Sequence, residues 1–397
     1  MESGAQSVGV HALKPANNYT LGVSGWRLHG QRTGVGRYLL NVIGRWTPEL
    51  VSQNFAEATL YTPHTVDRRA AGLPEGLRVT VRESRLPMIP WDNLRVAPAA
   101  TQSVMLYPSY SRPLLARGAT VVVTHDATLR LHPELFTRRD RAFYAPLYGW
   151  SARAATLVIA TTHAAKGDIA REWDVNPDKI RVTHLAAAPC FQPLPGQEHR
   201  GTLRTRATGA DIPFFLFVGK LSGRRNVPLL LRAFAEFRWS SECPHRLVAA
   251  GPDDSMREVR SMSEAMQLGE FVVTRSFLPD GELNELYNCA DALVMPSAYE
   301  TMSLPTMEAQ AAGTPVISID TPGSREITGG AALLIPKLTV GELADAMTRL
   351  ASDAALRSDI AERGLVNSRR FSWERCASET LAICREAAEM VDARRRA

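Results

Sequence analysis

The chain has 397 residues, enough for two or three domains at ~150 residues each. Its 45% hydrophobic and 22% charged composition is globular and excludes a disordered, collagen-like or coiled-coil protein. The formal net charge of +5 rests on 46 basic residues, of which only Lys14, Lys166, Lys179, Lys220 and Lys337 are lysines. Arginine is spread along the whole chain rather than gathered into a patch, which argues against nucleic acid as a partner.

Residues 1–19 lack apolar periodicity and read as a disordered tail, without the charged and apolar regions of a signal peptide. From there, short apolar strands alternate with longer helical patterns. Strands are predicted at 20–25, 57–61, 77–82, 103–107, 119–124, 156–160 and 180–183. A Pro-, Gly- and polar-rich stretch over 191–211 reads as a linker. Strands then resume at 214–218, 245–250, 271–275, 291–295, 315–319 and 332–335. This alternation predicts an α/β protein of two doubly wound, Rossmann-like domains, over 20–190 and 212–370. A last amphipathic helix over 371–397 carries Ala377, Leu381, Cys384 and Ala388 on one face. The five cysteines contain no CxxC pair and read as buried free thiols in a reducing compartment. No apolar run reaches the ~18–20 residues of a membrane-spanning helix, so a cytoplasmic protein is expected. A peripheral contact at the inner membrane face remains compatible, and no signal for an oligomeric state stands out.

Ligands of open α/β sheets bind beyond the carboxyl ends of the strands. Four segments there carry chemistry. In FFLFVGKLSGRRN a buried-type strand runs into Gly219, then Lys220, Arg224 and Arg225 precede a helix for which Asn226 is the predicted N-cap. Cations at a helix start suit a diphosphate. In ALVMPSAYETMSLPTMEAQAAGTP, Glu300 lies on a loop and Glu308 a turn into a Pro-initiated helix, so both can face one mouth of the sheet and hydrogen-bond sugar hydroxyls. In VVVTHDATLR, His125 and Asp126 follow an apolar strand. In GQRTGVGRY, Gly34 and Gly36 allow close backbone approach. Leu39 stands where a third glycine would complete a dinucleotide fingerprint, which argues against an NAD enzyme.

Together these segments resemble the retaining GT-B glycosyltransferases of family 4, and within it the bacterial mannosyl- and rhamnosyltransferase-like branch of polysaccharide biosynthesis. The family pattern Ser-x-x-Glu-Gly-Phe-Gly-Leu-Pro-x-x-Glu-Ala falls on Ser297, Glu300, Thr301, Met302, Ser303, Leu304, Pro305, Glu308 and Ala309. The resemblance implies two domains facing each other across a cleft and transfer of a sugar from a nucleotide diphosphate to an acceptor glycan or aglycone. It implies no metal ion and no cofactor beyond the sugar-nucleotide co-substrate. By the same match Glu300 contacts the transferred sugar, Glu308 the ribose, Lys220 and Arg225 the diphosphate, and His125 the donor sugar. Leu278 lies in the segment that reads the base, Gly219 and the run Thr301–Leu304 line the donor site, and Trp373 opens the helix that crosses back. Asp126 and Arg224 are secondary candidates. Thr301 and Ser303 depart from the pattern's two glycines, as groups that add hydrogen bonds or narrow the pocket. An epimerase or glycan phosphorylase of the same fold, or a silent glycan-binding protein, are the alternatives.

Overall fold

The computed structural model describes residues 18–29, 34–69, 71–196 and 200–397; the expected disordered tail falls outside it as far as residue 17. The N-terminal sheet comprises β1 (Thr20–Ser24), β2 (Glu57–Thr62), β3 (Arg78–Val81), β4 (Val104–Tyr107), β5 (Ala119–Thr124), β6 (Leu157–Ala160) and β7 (Ile180–Val182). The C-terminal sheet comprises β8 (Phe214–Val218), β9 (Arg246–Ala250), β10 (Val272–Arg275), β11 (Ala292–Met295), β12 (Val316–Ile319) and β13 (Leu333–Ile335). The strand orders are β3-β2-β1-β4-β5-β6-β7 and β10-β9-β8-β11-β12-β13, and neighbouring strands are parallel throughout. Each order reverses direction once, between β1 and β4 and between β8 and β11, which opens a crevice at the carboxyl ends of those strands. Helices cover both faces of each sheet, so the central strands are apolar along their whole length; every residue of β5 is buried.

The stretch read as a linker departs from expectation. It holds a helix, Arg200–Thr208, whose Leu203 and Ala207 pack on the C-terminal core. Arg200 and Arg204 both reach Asp291, one residue ahead of β11. Two apolar contacts are too few to show as a period, and the long-range pairing is invisible in sequence. The thiols also differ from expectation, since Cys190 is exposed while Cys289, Cys376 and Cys384 are buried.

Two features lock the domains together. The final helix, Trp373–Arg396, is capped by Ser372 and buries Ala377, Leu381, Cys384 and Ala388 in the N-terminal core. From the C-terminal domain, Glu326 caps the helix His163–Trp173 of the N-terminal domain. Its carboxylate accepts from the backbone N–H of His163 (2.8 Å) and Ala164 (2.9 Å), and lies 2.7 Å from His184 Nε2. The first two amides of that helix are thereby satisfied by the opposite domain, and the third, of Ala165, by Thr162 Oγ1.

Candidate active site

A cavity of about 400 Å³ lies between the two crevices. The N-terminal ends of four helices reach its wall: Gly34–Ile43, Asp253–Ala265, Asp280–Cys289 and Leu304–Ala311. The partial positive charge at these helix starts favours an anion.

The cationic loop follows β8. Gly219 has φ +154°, and a Cβ on Gly251 would stand 2.2 Å from the Gly219 carbonyl oxygen, so the ends of β8 and β9 meet without side chains between them. Lys220, Arg224 and Arg225 then line the cavity, Lys220 exposed and the two arginines partly buried. Asn226 starts the next helix, Val227–Ser240, but in the left-handed region (φ 49°) and with no side-chain cap bond. Asn226 thus holds the expected N-cap position, but as a left-handed chain reversal whose side chain makes no capping bond. It follows the short turn that aims both arginines inward, while Leu230, Phe234 and Phe237 pack into the core.

Glu300 is the anion these arginines meet. It is 3% exposed, with Oε1 2.9 Å from Arg224 and 2.8 Å from Arg225. Both guanidinium groups hold Oε1 as an ion pair, and the carboxylate lines the cavity. Glu300 raises the pKa of Arg224. Burial lowers that of Arg225, and Glu300 only partly offsets it because Arg224 repels its neighbour. Arg224, a secondary candidate in sequence, thus shares the carboxylate equally with Arg225. The Glu300 backbone is seated on Gly323, where a Cβ would fall 2.2 Å from its carbonyl oxygen.

Thr301 and Ser303, where the pattern has glycines, spend their hydroxyls internally. Thr301 Oγ1 donates to the His125 carbonyl (3.1 Å), and Ser303 Oγ accepts from the Thr306 amide as cap of the Leu304 helix. Thr301 therefore ties the two domains at the cavity wall, and Ser303 sets the helix start that Pro305 continues.

Across the cavity, His125 and Asp126 follow β5. His125 Nε2 lies 3.0 Å from the Pro108 carbonyl, which only accepts, so Nε2 carries the proton. Burial lowers the pKa of His125, with the Arg27 charge adding to it, and the ring is neutral near pH 7. Asp126 accepts from the Tyr110 hydroxyl (3.1 Å). Tyr110 sits at φ +62°, an uncommon conformation for a bulky residue, and this places its ring 5.4 Å from that of His125.

Of the sequence candidates, Gly34, His125, Asp126, Gly219, Lys220, Arg224, Arg225, Leu278, Glu300, Thr301, Met302 and Leu304 all line this one cavity. Three do not. Gly36 is buried inside the Gly34 helix, Ser303 is turned to its capping bond, and Glu308 lies behind the wall. Glu308 is 1% exposed, accepts from the Tyr287 hydroxyl (3.0 Å) and pairs with Arg37 at 2.7 Å. Sequence reasoning missed Arg37, Arg27 and Tyr110. The signals were there, Arg37 inside GQRTGVGRY and the others just past the ends of β1 and β4, but nothing local says what they touch.

Two parallel α/β domains facing across a cleft, with the final helix returning to the first, define the GT-B architecture. Within it, residues 206–365 match the family "Glycosyl transferases group 1", and the chain carries the domain of that family. O-antigen chain mannosyltransferase B of Escherichia coli is 24% identical over 265 residues, 66% of this chain and 68% of that protein. D-inositol 3-phosphate glycosyltransferase of Saccharomonospora viridis is 31% identical over 247 residues, 59% of this chain; the chain spans only 56% of that relative's length. Among solved structures, HepE of Anabaena, in complex with UDP and glucose, superposes with a TM-score of 0.69. It covers 95% of this chain and 100% of its own at 18% identity, a likeness of fold.

Proposed function

We propose that this chain transfers a sugar from a nucleotide diphosphate to an acceptor hydroxyl with retention of anomeric configuration, as a family 4-type enzyme of the cytoplasm. The observation that carries the reading is Glu300. It is a buried carboxylate held between two arginines, and it lines a cavity that four helix N-termini also reach. In the proposed complex, Lys220, Arg225 and those amides meet the diphosphate, and Glu300 accepts from hydroxyls of the transferred sugar. Phe277 and Leu278 border the base, and His125 faces the sugar from the N-terminal domain.

The bond that breaks joins the anomeric carbon to the phosphate oxygen. Both electrons leave with the diphosphate, whose growing charge falls where fixed cations and dipoles already stand; such preorganised stabilisation is often the largest catalytic term. The acceptor hydroxyl attacks from the same face, and its proton passes to the departing phosphate oxygen. Lys220, Arg225 and the helix ends provide the positive charge, so the reading assigns no metal ion to the step. Glu308, paired with Arg37, becomes the ribose contact when nucleotide draws it from behind the wall.

The test is proton NMR of the first-formed product from an α-linked UDP-, GDP- or dTDP-sugar. An α-configured product is expected; a β-configured one overturns retention. Conversion of the sugar nucleotide to its epimer without acceptor would instead favour the epimerase alternative.

A further inference from the structure

A second cavity of about 520 Å³ opens in the N-terminal domain where three elements meet. One is the turn Trp26–Leu28 directly after β1. The second is the short helix Met88–Trp91 with Pro87 ahead of it. The third is the helix Arg138–Ala154, whose Tyr144 and Tyr148, four residues apart, share a face. Its walls are mainly apolar, with an aliphatic side from Pro87 to Pro90 and an aromatic side of Trp26, Phe143, Tyr144 and Tyr148, the two tyrosines bringing hydroxyls.

Continuity with the active site comes through aromatic contacts. Tyr110, which lines the first cavity beside His125, stacks on Tyr148 with ring centroids 5.0 Å apart. Tyr148 continues to Tyr144 at 5.5 Å, and Tyr144 to Phe143 at 5.1 Å. Phe143 ends the strip at the surface, 55% exposed. The left-handed backbone of Tyr110 is what puts the first ring of this strip against the site, and strain of this kind gathers at functional positions.

The polar groups are few. The Trp26 indole N–H is committed to the Leu86 carbonyl (3.2 Å), so it offers nothing to a ligand. Arg27 is half-buried and donates through Nε to Ser109 (3.0 Å); among the described residues no carboxylate pairs with it. Arg27 lines this groove, and its partner Ser109 is the chain neighbour of Tyr110, which lines the first cavity.

We infer that this groove binds the acceptor, and that the acceptor is amphiphilic, with an apolar ring or chain along the aromatic strip and an acidic group at Arg27. A bare saccharide would find one guanidinium and the Tyr144 and Tyr148 hydroxyls, fewer partners than its ring of hydroxyls loses on leaving water. An apolar body fits two apolar walls, and an anion fits a half-buried cation that lacks one. The inference rests on the proposed function for the identity of the first cavity, but the groove's own chemistry is independent of it.

Ligand-detected NMR titrations of the full-length chain, with UDP present, test it. The probes are 2-naphthoate, 2-naphthol and methyl α-glucoside. The naphthoate is expected to bind about tenfold tighter than the naphthol, and the glucoside weakest. Arg27→Gln should erase the difference between the two naphthalenes. Phe143→Ala, at an exposed position that spares the fold, should weaken both. UDP affinity should stay unchanged in each variant. A glucoside that binds better than either naphthalene, or a naphthoate preference that survives Arg27→Gln, overturns the inference. Probe binding with no binding of UDP, GDP or dTDP would sustain the groove and count against the nucleotide site. UDP binding with no probe bound would do the reverse.

Discussion

Arg37 of the N-terminal domain and Glu308 of the C-terminal domain form an ion pair 2.7 Å long behind the wall of the cleft, with Asp280 at 3.5 Å from the same guanidinium. Burial raises the pKa of Glu308, and Arg37 and the Tyr287 hydroxyl pull it only part of the way back. The carboxylate that the family pattern assigns to ribose is thus already engaged across the domains. In the proposed complex, nucleotide binding shares or breaks this pair, which would couple donor binding to the relation between the domains.

The pair itself gives the first prediction. Arg37→Ala leaves a buried carboxylate with one neutral partner, a change that costs about 3–5 kcal/mol in a fully buried pair. Arg37 is 22% exposed, so a loss of about 1–3 kcal/mol is expected. An acid whose folded pKa is raised binds its proton more tightly in the native state, so stability falls as pH rises above its ordinary value of 4.5. The loss should therefore be larger at pH 8 than at pH 5 and should shrink in Arg37→Ala/Glu308→Gln. Urea unfolding at the two pH values reads it; equal losses at both would remove the coupling.

Glu300 separates binding from turnover. Glu300→Ala would strand Arg224 and Arg225, whereas Glu300→Gln keeps the shape and one acceptor. For Glu300→Gln, affinity for nucleoside diphosphate should stay within about threefold of wild type while transfer falls about a hundredfold. Normal turnover in this variant would take the sugar-contact role away from Glu300.

Asp92 makes a pH prediction away from the cleft. It is buried at the start of a π-helical turn, Asp92–Val96, and accepts from Ser24 Oγ at 2.6 Å. Burial lifts its pKa from 3.8 to about 7 against the pull of Ser24 and Arg27. The native state then holds more protons than the unfolded chain between pH 4 and 7, and stability declines through that window. The upper limit of the decline is on the order of 4 kcal/mol. Asp92→Asn, which keeps the acceptor for Ser24, should flatten the slope and exceed wild type in stability at pH 8. An unchanged slope in chemical unfolding across pH 4–8 would assign the effect to other groups.

The fold was legible because both sheets are parallel and covered on both faces, so a strand such as Phe214–Val218 or Ala119–Thr124 reads as an unbroken apolar run. The final helix was legible by its period. The Arg200–Thr208 helix was not, because its anchor is Asp291, more than eighty residues away. The same divide runs through the site. Residues that follow strand ends, such as Lys220, His125 and Glu300, can be picked by position alone. The Arg37–Glu308 pair, the equal hold of Arg224 and Arg225 on Glu300, and the Tyr110–Tyr148 stack exist only once two domains or two distant loops have met. Asn226 shows the converse: it holds the N-cap position its residue type suggests, but its own backbone is left-handed and its side chain makes no capping bond.

The cationic loop is where the account is most directly exposed. Calorimetric titration of wild type, Lys220→Ala and Arg225→Ala with a nucleoside and its diphosphate, across the uridine, guanosine and thymidine series, measures what the loop contributes. A charge-assisted bond to phosphate is worth roughly 1.5–3 kcal/mol, about ten- to hundredfold in affinity. The account predicts that at least one diphosphate binds wild type, that each substitution weakens it by that factor, and that nucleoside affinity stays the same. Diphosphate affinity equal in all three proteins would contradict it.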